Sequence, residues 1–181
     1  MSDDELLVAR ARRGDRAAVE ALVRGHYDTV RAVCHRIVAN SQDAEDATQN
    51  ALIAIVRALP NFDGRAKFST WAYRIATNAA LDEVRRMRRR PVPADHQTLT
   101  PPPVADRADA VGTQIDVRGA LEQLPEEFRV AMVLRHVADL DYAEIAVILE
   151  VPIGTVRSRL SRGREQLASL LGNPAPPEDV T

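Results

Sequence analysis

The chain has 181 residues, 45% of them hydrophobic and only 4% aromatic, and its formal net charge is −2. That length allows one or two small domains with a real core, and scarce glycine with no alternating β-branched runs favours an all-α protein. No run of 18 or more apolar residues occurs and MSDDELLVARARRGD lacks an apolar signal core, so we expect a cytoplasmic protein without membrane insertion.

The charge is unevenly spread. Residues 64–90 carry eight basic and two acidic side chains, and residues 153–172 carry four and one. Between them, residues 91–152 carry four basic and eleven acidic ones. Two basic patches around an acidic span point to two nucleic-acid contacts. The competing reading is that these blocks only solvate helix faces.

In chain order, Asp3 or Asp4 can cap a short helix that ends near Gly14, and Asp15 can cap a second. Val19, Leu22, Val23, Val30, Val33, Cys34 and Ile37 form that helix's apolar stripe. The single cysteine, Cys34, reads as packing. Asn40 and Ser41 break the helix, and the next starts at Asp43. Ala47, Leu52, Ile55, Val56 and Leu59 are expected to face inward there. Asp43, Glu45, Asp46, Gln49 and Asn50 crowd its first turns. They suit the helix dipole, or they form a face for a basic partner.

Pro60 ends this helix, and residues 61–69, NFDGRAKFS, read as a polar loop containing Gly64. Ser69 or Thr70 can then cap a long helix that buries Trp71, Ala72, Ile75, Ala76 and Ala79. Phe68, Trp71 and Tyr73 lie beside Lys67 and Arg74, a mixture that suits single-stranded bases and phosphates. Trp71 itself reads as core. Arg85, Arg86, Arg88, Arg89 and Arg90 form a phosphate-seeking tail. Composition shifts at Pro91: five of the eleven prolines fall in residues 91–112, an extended linker without a core.

A second helical domain follows. Val117, Leu121 and Leu124 form one helix, and Pro125 opens another with Val130, Val133, Leu134 and Val137 inside. Residues 140–171 then read as two helices joined by a tight turn. Asp141 and Glu144 make a capping-box pattern, Ile145, Ile148 and Leu149 form an apolar stripe, and Pro152 marks the turn. In the last helix Val156, Leu160, Gly163 and Leu167 share the inner face. Arg157, Ser158, Ser161, Arg162 and Glu165 lie opposite. An Arg- and Ser-bearing helix held against its predecessor by a short turn is what a helix-turn-helix sets into a DNA major groove.

Four of these stretches, in this order, resemble bacterial extracytoplasmic-function (group IV) sigma factors. VPIGTVRSRLSRGREQL resembles the segment that reads the minus-thirty-five element, with Gly163 where the family usually has alanine. The resemblance implies DNA contacts from Thr155, Arg157, Ser158, Ser161 and Arg162. DAEDATQNAL resembles the segment that grips the polymerase clamp coiled coil, implying a role for Asp43, Asp46, Gln49 and Asn50. Asn50 and Leu52 depart from the family's usual acid and phenylalanine. FSTWAYRIATNAALDEVRR resembles the promoter-melting segment. It implies that the preceding loop, with Asn61, Phe62, Asp63, Gly64 and Lys67, captures a flipped minus-ten base. Tyr73, Arg74, Asn78, Asp82, Arg85 and Arg86 would then hold the unpaired strand. LPEEFRVAMVLRHV resembles the family's L-P-x-x-[QYF]-R segment.

The organisation so implied is a first domain over residues 1–92, a linker over 93–112, a helix-turn-helix domain over 113–172 and a disordered tail over 173–181. The implied partners are core RNA polymerase, through its clamp coiled coil and flap, promoter DNA, and an anti-sigma factor. No cofactor and no enzymatic activity are expected, since no phosphate-loop, GxGxxG, HExxH, CxxC or GxSxG motif occurs. A stand-alone helix-turn-helix regulator is the rival reading, and it leaves residues 43–90 unexplained.

Overall fold

The computed structural model describes residues 3–90 and 117–172; the expected linker and tail lie outside the described residues. Among the described residues, eight α-helices fall into two groups on either side of residues 91–116.

The first group contains α1 (Asp3–Ala11), α2 (Arg16–Ile37), α3 (Ser41–Ala58) and α4 (Phe68–Arg89). Gly14, at φ +89, lets the chain turn between α1 and α2. Asp15 then caps α2, accepting from the N–H groups of Ala17 and Ala18 at 3.0 and 3.2 Å. Removing such a cap costs about 1 kcal/mol. The buried stripe of α2 is Ala18, Leu22, Val30, Val33, Cys34 and Ile37. Val19 and Val23, expected in the core, are only half-buried because they border a groove beside α3. For the same reason Val56 is 44% exposed.

The third helix begins two residues before the expected Asp43, because the Asn40 side chain caps it through the N–H groups of Gln42 and Asp43. Ala44, Ala47 and Ala51 on α3, and Ala72, Ala76 and Ala80 on α4, are completely or almost completely buried. With no side chain beyond Cβ, these rows let the backbones of α2, α3 and α4 approach closely. The hydroxyls of Thr48 and Thr77 are buried too, and each donates to the carbonyl four residues back at 2.8 Å. The start of α4 corrects an expectation. Lys67 stands at its N-cap with no side-chain cap, and neither Ser69 nor Thr70 caps it. Thr70 lies inside the helix and bonds elsewhere.

The second group contains α5 (Val117–Gln123), α6 (Glu126–His136), α7 (Tyr142–Leu149) and α8 (Ile153–Leu170). Helix α5 buries Ala120 and Leu121, while Val117, expected inside, is 46% exposed. The capping box of α7 is formed as read: the Glu144 N–H donates to Asp141 Oδ1 at 2.8 Å, and the Asp141 N–H donates to Glu144 Oε2 at 3.0 Å. The turn after α7 passes through Glu150 at φ 53. That left-handed geometry strains a residue bearing a Cβ by about 1–2 kcal/mol. Pro152 precedes α8, whose inner residues Val156, Leu160 and Gly163 are buried against the group's core. Gly163 sits on α6, where a Cβ would meet Met132 Cγ at 2.9 Å.

The two groups touch. Helices α5 and α6 lie on α2, and α7 lies on α4.

Candidate nucleic-acid interface

The exposed face of α8 is built by difference. Burying Val156 and Leu160 turns the residues between them outward, so Arg157, Ser158 and Arg162 are exposed and Thr155 and Ser161 half-exposed. Ser158 Oγ donates to the Thr155 carbonyl at 3.0 Å, and Ser161 Oγ donates to Glu165 Oε1 at 3.1 Å. Arg159, on the flank, is held by Glu127 at 3.2 Å. Among the described residues neither Arg157 nor Arg162 has an ion-pair partner. Their Cα positions are about 7.5 Å apart along the axis of an ideal helix, and such guanidiniums can meet phosphate or a base edge.

The basic end of α4 is built the opposite way. Glu83, only 4% exposed, accepts from Arg86 Nε at 3.0 Å and lies 3.8 Å from Arg90. Arg90 also donates to Asp43 at 3.1 Å, Arg85 to Asp82 at 3.0 Å, and Arg88 lies 3.0 Å from Glu126 Oε2 of α6. The last contact is a charge contact without hydrogen-bond geometry, since Glu126 Oε2 accepts no bond. Four of the five arginines of the tail, Arg85, Arg86, Arg88 and Arg90, are therefore paired with acids of their own chain. Glu83 carried no signal in a reading that stressed the surrounding arginines, although its spacing to Arg86 and Arg90 is a helical ladder.

Of the acidic set on α3, Asp43 is 7% exposed and turned to Arg90, Asp46 is half-buried, and Gln49 and Asn50 are exposed. Glu45 faces Arg31 and His35 at 2.6 and 3.0 Å. The hydrogen bond from Arg31 is the main reason its carboxyl lies below the usual range. A groove of about 440 Å³ joins Asn50 of α3 to Asn78, Asp82 and Arg86 of α4.

The loop over residues 61–67 is anchored by Phe62, 4% exposed, whose ring meets Trp71 at 4.9 Å and Phe68 at 6.0 Å. Asp63 folds the loop by accepting from the Arg65 N–H at 3.0 Å, and Gly64 takes φ +75. Asn61, Asp63, Gly64 and Lys67 stay exposed. Between this loop and α1 lies a cleft of about 630 Å³ lined by Asp4, Val8, Arg12, Gly64, Arg65 and Lys67. Tyr73 is buried rather than presented: its hydroxyl lies 3.1 Å from His26 Nδ1, whose Nε2 lies 2.9 Å from Asp4. Burial pushes its phenol above the ordinary value. Arg74 is half-buried and Asn78 and Asp82 are exposed. Lys67 reaches Glu144 of α7 at 3.0 Å, and that hydrogen bond raises its pKa.

No group of three or more His, Cys, Asp or Glu residues suited to a metal occurs among the described residues. Among them, no helix is long and apolar enough to cross a membrane. The arrangement can bind and orient charged ligands, and two of its exposed cations without an ion-pair partner among the described residues, Arg157 and Arg162, lie on the second helix of a helix-turn-helix.

Comparison with known proteins gives this arrangement a class. The family described as Sigma-70 region 2 matches residues 22–90, and Sigma-70, region 4 matches residues 114–167. The chain is 36% identical over 182 residues to the RNA polymerase sigma-H factor of Pseudomonas aeruginosa, covering 93% of each. It is 39% identical over 171 residues to the ECF RNA polymerase sigma factor SigM of Mycobacterium tuberculosis, covering 94% of this chain and 85% of SigM. Its fold is similar to that of CnrH, solved in complex with the cytosolic domain of CnrY. The TM-score is 0.70 at 22% identity, over 94% of this chain and 98% of CnrH. The chain belongs to the extracytoplasmic-function sigma factors, a family of transcription initiation factors rather than enzymes.

Proposed function

We propose that this chain is a dissociable subunit of bacterial RNA polymerase that carries the core enzyme to promoters and helps to open them. Residues 113–172 read the minus-thirty-five duplex through α8 and meet the polymerase flap. Residues 1–92 dock on the clamp coiled coil through Asp46, Gln49 and Asn50, with Asp43 beneath them. They hold the melted minus-ten strand between the loop at 61–67 and the outer face of α4. An anti-sigma factor holds the free protein in check. The observation that carries the reading is the pair Arg157 and Arg162, exposed and, among the described residues, without an ion-pair partner, on a helix whose other face is fixed in the core.

The mechanism is differential binding. Arg162 is our candidate for a guanine edge, a contact worth about 1–3 kcal/mol against the wrong base. Arg157 is our candidate for phosphate, which sets register without reading sequence. Extruding a minus-ten base costs a few kcal/mol of stacking. The cleft beside Gly64 and Lys67 is the candidate pocket to offset it. No bond is made or broken by this chain; it lowers the free energy of the opened promoter relative to the closed one.

The test uses fork-junction DNA whose minus-ten non-template strand is unpaired. Core polymerase with the chain should form a salt-resistant complex on that fork and a weaker one on the closed duplex. Equal binding of both by the chain alone, unaffected by core, would instead establish a duplex-binding regulator.

A further inference from the structure

Helix α8 carries four arginines and one acid, Glu165. That acid is exposed on the outward side of the helix, in line with Gly154, Ser158 and Ser161 at steps of four, three and four residues. Arg157 flanks this ridge on one side and Arg162 on the other. Glu165 Oε1 accepts from Ser161 Oγ at 3.1 Å. Among the described residues Oε2 has no partner and Glu165 makes no ion pair.

A carboxylate on a DNA-facing surface is repelled by phosphates. One explanation is that Glu165 only solvates the helix. Its place on the ridge supports a second. Gly154, Ser158 and Ser161 carry little side chain, so nothing there holds the backbone away from a base edge. A Cβ at Gly154 would meet no atom of the chain within 4 Å, so internal packing does not ask for that glycine. Glu165 is the first long side chain along the ridge. From Ser158 to Glu165 the axis advances about 10 Å, or about three base-pair steps.

We propose that Glu165 reads a cytosine in the minus-thirty-five element and that Ser161 is the residue that positions it. This rests on the reading of that duplex by α8 proposed above. A carboxylate only accepts hydrogen bonds. Cytosine shows the major groove a lone donor, its N4 amino group. Adenine shows its N6 amino group beside N7, an acceptor that opposes the second carboxylate oxygen. Guanine N7 and O6 and thymine O4 are acceptors and oppose both oxygens. With Oε1 held by Ser161, Oε2 is left for the amino group. Glu165 follows Arg162 by about 4.5 Å along the axis, so the cytosine belongs to the base pair next to the guanine proposed for Arg162. The same charge weakens binding to duplexes that lack a donor there, which raises specificity at a cost in affinity.

The test uses the full chain reconstituted with core polymerase and a pool of duplexes with a randomised central segment. Bound duplexes are sequenced, and enrichment by core alone is subtracted. The wild type should favour cytosine over guanine or thymine at one position by about tenfold. Glu165→Gln should move that position to adenine, because an amide pairs with N6 and N7 together. Glu165→Ala should bring the four bases there within about twofold of one another and leave the other positions unchanged. Ser161→Ala keeps the carboxylate but not its holder, and should shrink the cytosine preference by about two- to fivefold. Far-UV circular dichroism checks that each variant is folded. If Glu165→Gln and Glu165→Ala instead bind all duplexes more tightly with unchanged base preferences, Glu165 is a solvated charge and the proposal fails. A wild type that enriches no base at any position would refute the reading by α8, and the cytosine contact with it.

Discussion

Gly163 fixes how closely the candidate recognition helix lies on α6, so its substitution tests the placement of Arg157 and Arg162 from behind. A Cβ there would stand 2.9 Å from Met132 Cγ, 3.3 Å from Met132 Sδ and 3.5 Å from Phe128 Cβ. Carbon atoms prefer about 3.5–4.0 Å, so Met132 must yield by roughly 0.6 Å. Methionine is the most adaptable core side chain, and forcing it off its rotamer costs about 0.5–1.5 kcal/mol. Gly→Ala in a helix interior gains about 1 kcal/mol. The two terms nearly cancel, and Gly163→Ala should leave stability within about 0.5 kcal/mol of the parent by urea titration. In a Met132→Ala background the obstacle is gone and the gain of about 1 kcal/mol returns. Gly163→Leu cannot be accommodated and should cost about 1–3 kcal/mol. A full gain in the single Gly163→Ala variant, or strict additivity with Met132→Ala, would refute the close approach of α8 to α6.

The clamp assignment expects Asp46→Arg with Gln49→Ala to abolish co-elution with core polymerase while far-UV circular dichroism stays unchanged; retained co-elution would remove α3 from that interface. On the recognition helix, Arg162→Ala should cost about 1–3 kcal/mol at one base pair and relax preference there, whereas Arg157→Ala should weaken all sequences alike and lower the salt slope by about one. Titrations against single-base variants of the minus-thirty-five element at several salt concentrations separate the two. For pH, burial pushes the Glu144 carboxyl up, but the Asp141 N–H, Lys67 and Thr70 outweigh it and leave it below its usual 4.5. The Ala18 N–H and Arg10 lower Asp15 from 3.8, and Arg31 lowers Glu45 from 4.5. A depressed carboxyl contributes stability above its unfolded value that is lost as pH falls through the folded one. Burial, with Arg135 and Arg164, holds the His136 imidazole below its usual 6.5, so urea midpoints should fall slightly as pH drops below about 6.5 and fall again, through the carboxylates, below about pH 4.5; a His136→Gln variant that keeps the first fall would remove His136 from the account.

What could be read in the sequence was what local spacing determines. Asp15 as a cap, the reciprocal pair Asp141 and Glu144, and the division of α8 into a Val156–Leu160–Gly163 face and an Arg–Ser face all depend on residues within a few turns of one another. Partners far apart in sequence were not legible. Thr70 offered a plausible cap for α4, yet its hydroxyl is taken by Glu144, 74 positions away. Asp43 looked like part of an exposed acidic face, yet Arg90 holds it from 47 positions away. Tyr73 carried the composition of a base-stacking residue, yet the fold buries it against His26. Val56 lies in an apolar helical register, but the groove between α2 and α3 leaves it exposed. In each case the residue type was compatible with two environments, and tertiary contacts chose between them.

The central claim is that this chain gives core polymerase a promoter specificity that neither has alone. Run-off transcription on fragmented bacterial genomic DNA, with core polymerase and the purified chain, tests it most directly when the start sites are sequenced. Transcripts should require both components and share one pair of upstream elements. Those transcripts should vanish with Asp46→Arg and Gln49→Ala, and change their upstream element with Arg162→Ala. Transcripts that are independent of the chain, or absent with both components present, would contradict it.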